Sequence, residues 1–235
     1  EYLDRGFDPG NHYSIPYMFG YIGIAYNKKK VDKPESWSEL WNPKYKGHLT
    51  LQENSKEVFE MTLQKLGYSI KNPSDPHLTK AKDSLMKLSS NVYKYTSNPA
   101  ADLINGQAWI SMSYNDQAAQ AVSKNPDIEY ILPKEGGILW LDNVAIPKNS
   151  KHKYTAEVFI NYINSPKVNK KIYDAIQGGD PNKAGRELLD DKKKNNPASY
   201  PPKQMTKGAK VESDYSPALR GKINRMWQEI KVANN

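Results

Sequence analysis

The chain has 235 residues, of which 37% are hydrophobic and none is cysteine, and its 34 basic against 26 acidic side chains give a formal charge of +8. This length is enough for one large or two modest globular units, each with a hydrophobic core. The absence of cysteine excludes disulfide scaffolds, thiol catalysis and cysteine-ligated zinc or iron–sulfur sites. The mean hydropathy of −0.82, without a long apolar run, excludes a membrane span.

The positive charge does not predict nucleic-acid binding. Four of the basic residues are arginines and the other 30 are lysines. Arginine is the side chain that makes paired contacts to phosphate and guanine, and it is scarce here. The run Lys192–Lys194 lies between two aspartates and a proline-containing stretch, a pattern typical of a solvated loop. No nucleic-acid partner is therefore expected.

Predicted strands alternate with predicted helices along the chain. Runs of β-branched and aromatic residues predict strands at 13–27, 48–51, 108–113, 128–132 and 138–146. Capping residues and apolar periodicity predict helices at 36–42, 54–66, 79–89, 116–123, 155–163, 168–177 and 219–232. The polar, proline-bearing stretch 190–215 predicts a loop-rich connection. This alternation is typical of an α/β fold with an at least partly parallel sheet.

The sequence lacks the motifs for phosphate cradling, dinucleotide binding and serine nucleophiles. Its four histidines, at positions 12, 48, 77 and 152, are far apart and show no metal-ligand spacing. We therefore expect no cofactor, no metal site and no histidine-based triad. The candidate chemistry rests on carboxylates and aromatic rings.

Trp140 and Asp142 share one face of a predicted strand, directly after a Gly-Gly turn. An aromatic ring beside a carboxylate is the arrangement that binds an organic ammonium, because the ring attracts the cation and the carboxylate accepts its N–H bonds. The alternative is that Trp140 packs in the core and Asp142 binds neighbouring backbone. Spacing alone favours that alternative, since tryptophan is usually largely buried.

Asn54 and Glu57 begin a predicted helix with the spacing of a capping box, which satisfies two free backbone amides. In a functional interpretation, Glu57 also faces a cation in a cleft. Tyr114 and Gln117 follow the strand 108–113 and are a third group of candidate binding residues. In α/β folds, ligands bind where strands end and helices begin.

Four segments resemble a known family when they are taken in order and spacing. They are DPGNHYSIPYMFGYIGIAYN, SWSELWNPKYKGHLTL, KEVFEMTLQKLGYS and LPKEGGILWLDNVAIPKNS. Together they resemble the extracytoplasmic spermidine/putrescine-binding proteins of bacterial ATP-driven polyamine importers, over about 7–182 with a looser continuation. The pattern PKEGG-x-x-W-x-D is the most specific part of the resemblance.

The resemblance implies a type II periplasmic-binding-protein-like fold, with two α/β lobes joined by strands that cross between them. Residues 1–17 and 142–186 would be the remnant of the first lobe, and residues 18–141 and 187–235 the second lobe. The start, EYLDRGFDPGNHYS, contains no initiator Met and no signal sequence. We therefore expect the opening third of the family's chain, and with it most of the first lobe, to be absent.

The resemblance also assigns roles to individual residues. Trp140 and Asp142 match the family's central aromatic–carboxylate pair, and Glu57 matches an amine-binding carboxylate. Tyr114 stands where members usually have Trp, and Asn54 stands where spermidine-preferring members have Asp. Two further departures are Gly178, where many members have Tyr, and Glu212, near a position that is often Gln.

These matches predict a binding protein and not an enzyme. A polyamine, spermidine or putrescine, would lie in the interlobe cleft with Trp140 and Tyr114 flanking its aliphatic chain and Asp142 and Glu57 pairing with its ammonium groups. Its partners would be the membrane permease subunits of an ABC importer. The protein would act as a monomer outside the cytoplasm, in the periplasm or as a lipoprotein on the cell surface.

Three alternatives stay open. The first is a type II receptor for another small ligand, such as an amino acid, a sugar or iron. The second is a carbohydrate-cleaving enzyme that uses Glu57 and Asp142 as its acid–base pair. Neither residue shows, in its sequence context, a sign of the raised pKa that a general acid needs, and this lowers the expectation of catalysis. The third is an adhesion module that binds anionic polymer through the basic C-terminal region.

Overall fold

A computed structural model describes residues 7–233, so the first six residues of the predicted first-lobe segment 1–17 lie outside the described residues. The strands of the described part are β1 (Ser14–Asn27), β2 (Leu49–Leu51), β3 (Val92–Tyr95), β4 (Ile110–Tyr114), β5 (Ile128–Ile131), β6 (Ile138–Ala145) and β7 (Lys210–Val211). The helices are α1 (Ser55–Lys65), α2 (Asp75–Ser89), α3 (Ala100–Ile104), α4 (Asn115–Lys124), α5 (Lys153–Ile163), α6 (Pro166–Ile176), α7 (Lys183–Glu187), α8 (Asp191–Lys194), α9 (Lys203–Thr206) and α10 (Pro217–Val232).

The strands form one mixed sheet in the order β3-β2-β4-β1-β6-β7, and β5 also pairs with β1. Strand β1 is antiparallel to β4, β5 and β6. Parallel pairs lie further out, where β2 joins β3 and β4 and where β6 joins β7. This sheet with its helices confirms the α/β class and the expectation of a partly parallel sheet.

From Phe19 to Tyr26, strand β1 is buried on both of its faces, and this explains the almost continuous apolar sequence of that part. Its side chains alternate between two hydrophobic clusters. One cluster takes Ile22, Ile24 and Tyr26, and the other takes Phe19, Tyr21 and Ala25. Because both clusters depend on β1, this strand is the centre of the fold.

Helix α1 starts where the sequence predicts. The side chain of Asn54 accepts a hydrogen bond from the Lys56 backbone N–H at 3.1 Å, which is the contact of a helix N-cap. Behind that cap, Val58, Phe59, Met61 and Leu63 are fully buried in the first cluster. Burial on several sides fixes the helix, and with it the side chains of its first turn.

Several local predictions need correction. The helix predicted at 36–42 is a 3₁₀ helix over Trp37–Trp41, and β3 and α3 were missed because both are short. The stretch 190–215 is loop-rich, as predicted, and it also contains the short elements α8, α9 and β7, which were missed. The solvated loop expected for Lys192–Lys194 is wrong. The run lies in α8, which Asp190 caps, and Lys193 Nζ lies 2.6 Å from an Asp174 carboxylate oxygen.

The two predicted lobe boundaries fall at one point of the sheet. Met18 of β1 pairs with Asp142 of β6 in the antiparallel ladder, so residues 17/18 and 141/142 lie side by side. The division into lobes itself stays a prediction.

Between residues 7 and 233, no helix combines the length and the apolar sequence needed to cross a bilayer.

Candidate functional site

Strand β6 places Trp140 opposite Gly20 of β1, and Asp142 opposite Met18. The indole lies directly against the glycine: a Cβ on Gly20 would lie 2.5 Å from Trp140 Cζ2 and 1.8 Å from Asn115 Oδ1. A side chain at position 20 would therefore displace both neighbours. Trp140 is half-buried and Asp142 is exposed, so the face that they share opens towards solvent.

Tyr114, at the end of β4, meets Trp140 edge to face, with ring centroids 6.3 Å apart and an interplanar angle of 89°. Its hydroxyl donates a hydrogen bond of 2.6 Å to Glu57 Oε1. The structure thus brings together three side chains that lie far apart in sequence. The two rings form a perpendicular corner.

Glu57 is almost fully buried, 4% exposed, at the first turn of α1. Besides the Tyr114 hydroxyl, its Oε1 accepts a bond of 3.0 Å from Asn54 Nδ2. Within the described residues, its Oε2 is buried without a hydrogen-bond partner. The Asn54 cap is therefore confirmed, while the Glu57 carboxylate bonds side chains and keeps one acceptor oxygen unsatisfied.

Burial raises the pKa of Glu57 to about 7, an effect that the Tyr114 hydrogen bond opposes and the Glu212 charge reinforces. The pKa of Asp142 is also raised, first because neighbouring residues partly desolvate the carboxylate although the residue is exposed, and then by the charge of Glu212. The expectation that neither carboxylate shows a raised pKa was therefore wrong. Local sequence does not report how deeply a helix-start glutamate is buried.

Glu212 joins the site through β7 and was not among the predicted site residues. Its backbone N–H donates to the Leu139 carbonyl at 2.9 Å, directly before Trp140 on β6. Its carboxylate pairs with Lys56 Nζ at 2.7 Å, and both side chains are about three-quarters buried. The only signal in the sequence was the family position near Glu212, where members often have Gln.

Glu60 lies one turn further along α1 and was also missed. It is fully buried, and its Oε1 accepts a bond of 3.0 Å from the Ser213 backbone N–H. Burial raises the pKa of Glu60 to about 8, and the charges of Glu212 and Glu57 add to this while Lys56 opposes it. At neutral pH this carboxyl is mainly protonated, so it supports the site without offering a charge.

Gln117, the candidate binding residue of helix α4, makes a local contact. The Gln117 amide donates to the Asp116 carboxylate at 3.0 Å, away from the contacts that join Glu57, Tyr114 and Trp140. Its predicted role in binding stays a prediction. The neighbouring Asn115, which sequence reasoning did not select, is fully buried against Gly20, and neither of its amide atoms has a partner within residues 7–233.

The site is therefore an aromatic corner surrounded by carboxylates, with Lys56 as the cation whose charge acts on Glu57, Glu60 and Glu212. Such an arrangement attracts an organic cation and rejects anions. Over residues 7–233, no group of three or more His, Asp or Glu side chains is placed to hold a metal ion.

Comparison with known proteins agrees with this fold and this arrangement. The family described as bacterial extracellular solute-binding protein matches residues 2–201. The spermidine/putrescine-binding periplasmic protein of Escherichia coli is 39% identical over 234 residues, which are 98% of this chain and 67% of that protein. The putrescine/cadaverine-binding protein of Pseudomonas aeruginosa is 30% identical over 250 residues, which are 98% of this chain and 70% of that protein.

Solved structures show the same fold. The spermidine/putrescine ABC transporter substrate-binding protein of Streptococcus pneumoniae has a TM-score of 0.84 and 31% identity, covering 100% of this chain and 73% of that one. A periplasmic binding protein from Agrobacterium tumefaciens, solved with agropinic acid, has a TM-score of 0.68 and 22% identity, covering 94% of this chain and 69% of that one.

These matches confirm the type II periplasmic-binding-protein-like fold. The chain spans between 64 and 70% of the length of the curated relatives named spermidine/putrescine-binding in Escherichia coli and Salmonella typhimurium and putrescine/cadaverine-binding in Pseudomonas aeruginosa. With a family match over most of its length and a relative at 39% identity, the chain belongs to the bacterial extracellular solute-binding proteins.

Proposed function

We propose that this chain provides the polyamine-binding wall of a substrate-capture protein for an ATP-driven importer. The observation that carries the proposal is the Glu57–Tyr114–Trp140 arrangement, in which a buried carboxylate with an unsatisfied oxygen lies beside an aromatic corner. An alkyl diammonium fits both parts, since its methylenes pack on rings while its ammonium groups bind carboxylates.

Glu57 and Asp142 are the two carboxylates that would pair with ligand ammonium groups. Each charge-assisted hydrogen bond contributes on the order of 1.5–3 kcal/mol. The unsatisfied Oε2 of Glu57 supports this role, because a buried acceptor without a partner carries a cost that a ligand N–H removes. Trp140 and Tyr114 would contact the aliphatic chain from two perpendicular directions.

The fold alone does not select the ligand, because the same fold occurs in the protein solved with agropinic acid. The local charge favours a cation. The relatives named for spermidine, putrescine and cadaverine support the same class of ligand. The net charge of +8 opposes a polycation. Beyond about 8–10 Å, however, salt screens the field of the net charge. The nearby carboxylates therefore determine which ligand charge the site attracts.

The same relatives support the proposed partners and location. The Escherichia coli relative is named a periplasmic binding protein, and one structural neighbour is named as the substrate-binding protein of an ABC transporter. We therefore propose that the protein works outside the cytoplasm, docks on membrane permease subunits as a monomer, and needs no nucleic acid. These statements concern a protein of the relatives' full length, and this chain spans about two thirds of that length.

Carbohydrate cleavage is the competing function, because a general acid needs a raised pKa and Glu57 has one. Burial and the charge of Glu212 account for that pKa without a catalytic role. The relatives are substrate-binding transport proteins, so we propose no enzymatic activity.

The test is NMR titration of the chain with spermidine and putrescine, observing the tryptophan indole N–H signals. The chain has five tryptophans, and substitution of Trp140 by Phe assigns the signal at the site. The Trp140 signal is expected to shift saturably, while those of the buried Trp37 and Trp227 stay in place. If neither polyamine shifts the Trp140 signal, the proposed function is wrong.

A further inference from the structure

The carboxylates of the site differ in what they offer a ligand. Glu60 is fully buried, bonded to the Ser213 backbone and mainly protonated. Glu57 has one oxygen unsatisfied, and Asp142 is exposed beside the indole. Glu212 is already paired with Lys56 at 2.7 Å. Two carboxylates are thus available to a ligand, and a third is occupied by a cation of the chain itself.

The Lys56–Glu212 pair is placed by the backbone at both ends. Lys56 is the second residue of α1, held by the Asn54 cap, and the backbone N–H of Glu212 is bonded to β6. Lys56 Nζ also lies 6.0 Å from the ring centroid of Tyr215. An ammonium beside a carboxylate and near an aromatic ring is the environment that a bound polyamine nitrogen would have.

We propose that Lys56 acts as a built-in counter-ion of Glu212, and that it thereby limits the site to two carboxylates that can pair with ligand ammonium groups. This inference rests on the proposed function. A third ammonium group on the ligand has to compete with Lys56, whose attachment to α1 gives it a high effective concentration. The chain therefore accepts a triammonium ligand without gaining from its additional charge.

Removing the lysine should release the third subsite. In Lys56→Gln, Glu212 loses its cation, and a triammonium ligand should gain on the order of tenfold in affinity from the new pair. A diamine of the same length should gain much less, because it has no central ammonium group to place there. The two probes are spermidine and the diamine in which a methylene replaces its central amine.

The measurement is calorimetric titration of the chain with both probes at a pH near 8, where Glu57 is mainly ionised. The quantity compared is the ratio of the affinity for spermidine to the affinity for the matched diamine. Lys44→Gln, at an exposed position away from the site, removes the same charge and should leave the ratio unchanged. The double variant Lys56→Gln/Glu212→Gln should lose the gain, since the released carboxylate is gone.

The inference is supported if the affinity ratio rises by more than about threefold in Lys56→Gln and falls back to the value of the unsubstituted chain in the double variant. A smaller rise, or a rise that persists without Glu212, overturns it. If the unsubstituted chain binds the polyamines but the ratio is unaffected, only the role of Lys56 fails. If neither the chain nor its variants bind either probe, the proposed function itself fails. Circular dichroism confirms that each variant is folded.

Discussion

The hydroxyl of Tyr114 donates a hydrogen bond of 2.6 Å to the carboxylate of Glu57 and joins the end of β4 to the start of α1. This contact orients the deeply buried carboxylate of Glu57, and it holds the ring edge-on to Trp140. The aromatic residue at position 114 therefore has two functions: it provides a ring and it positions an acid. A tryptophan there would keep the ring and change the donor.

The substitution Tyr114→Phe tests the positioning function. It removes a donor that favours the ionised carboxylate, so the pKa of Glu57 should rise above about 7. NMR detection of the Glu57 side-chain carbon across a pH titration measures the change. Tyr173→Phe, which removes a buried hydroxyl bonded to Ser199, is the control and should leave the pKa of Glu57 unchanged. An unchanged pKa in Tyr114→Phe would show that the bond is absent in solution.

Both available carboxylates are expected to contribute to affinity. Asp142→Asn and Glu57→Gln keep the shape of each side chain and remove its charge, so each should weaken polyamine binding at least about tenfold. Calorimetry or the Trp140 indole shift gives the affinity. Asp83→Asn, at an exposed position on α2, is the control for net charge. Wild-type affinity in Asp142→Asn would mean that Asp142 is structural.

Affinity for polyamines should fall as the pH decreases through 7. A carboxylate with a pKa of about 7 is half protonated at that pH, and its proton must leave before an ammonium group binds. Below the pKa, affinity should fall by up to about tenfold per pH unit. Lys56 and Glu212 face the same carboxylate, so Glu57→Gln is the necessary comparison. In that variant, the part of the pH dependence that belongs to Glu57 should disappear.

Glu60 should lower the free energy of unfolding at alkaline pH. Its pKa is about 8 in the folded chain against an ordinary value of 4.5, so the folded state binds the proton more tightly than the unfolded state. The free energy of unfolding should therefore decrease as pH rises from about 4.5 to 8, by on the order of 4 kcal/mol for this group. Glu60→Gln keeps an acceptor for the Ser213 N–H and removes the charge.

Urea unfolding measures the effect of Glu60→Gln. The variant should be more stable than the unsubstituted chain at pH 8 and about equal to it at pH 4.5, whereas the exposed Glu53→Gln should change neither value. A variant that is less stable at pH 8 would contradict the sign of this prediction.

Gly20→Ala should disturb the site through the core. The added methyl would lie 1.8 Å from Asn115 Oδ1 and 2.5 Å from Trp140 Cζ2, so both side chains have to move. We expect a loss of about 1–3 kcal/mol in the free energy of unfolding and a shift of the Trp140 indole signal.

Gly221→Ala provides the matched control for Gly20→Ala. It lies in α10 with only Arg225 Nη1 nearby, at 3.7 Å, and it should stabilise the chain by about 0.5–1 kcal/mol. Equal effects of the two substitutions would mean that the indole does not lie against the glycine.

The sequence allowed much of the site to be predicted, because its main residues lie in recognisable local patterns. Strand alternation placed Trp140 and Asp142 on one face, and a capping pattern placed Asn54 and Glu57 at a helix start. The resemblance to a family then selected these residues and Tyr114 from several comparable clusters. Their functional roles stay proposals.

The residues that were missed depend on contacts between distant segments. Glu212 reaches the site through β7, a strand of two residues that no periodicity reveals. Lys56 and Glu60 belong to the polar positions of a helix, where sequence alone predicts exposure to solvent. The segment after β7 packs on Glu60, whose carboxylate accepts the Ser213 backbone N–H, and Glu60 is fully buried. Burial also gives Glu57 its raised pKa.

Between Phe19 and Tyr26, strand β1 leaves no free surface for modification, because its alternating side chains enter two different clusters. A fluorophore, spin label or affinity tag introduced between Phe19 and Tyr26 would have to displace one cluster or the other. Probes intended to follow this protein at work therefore belong at an exposed position outside β1 and outside the proposed binding site, such as Asp83 on α2.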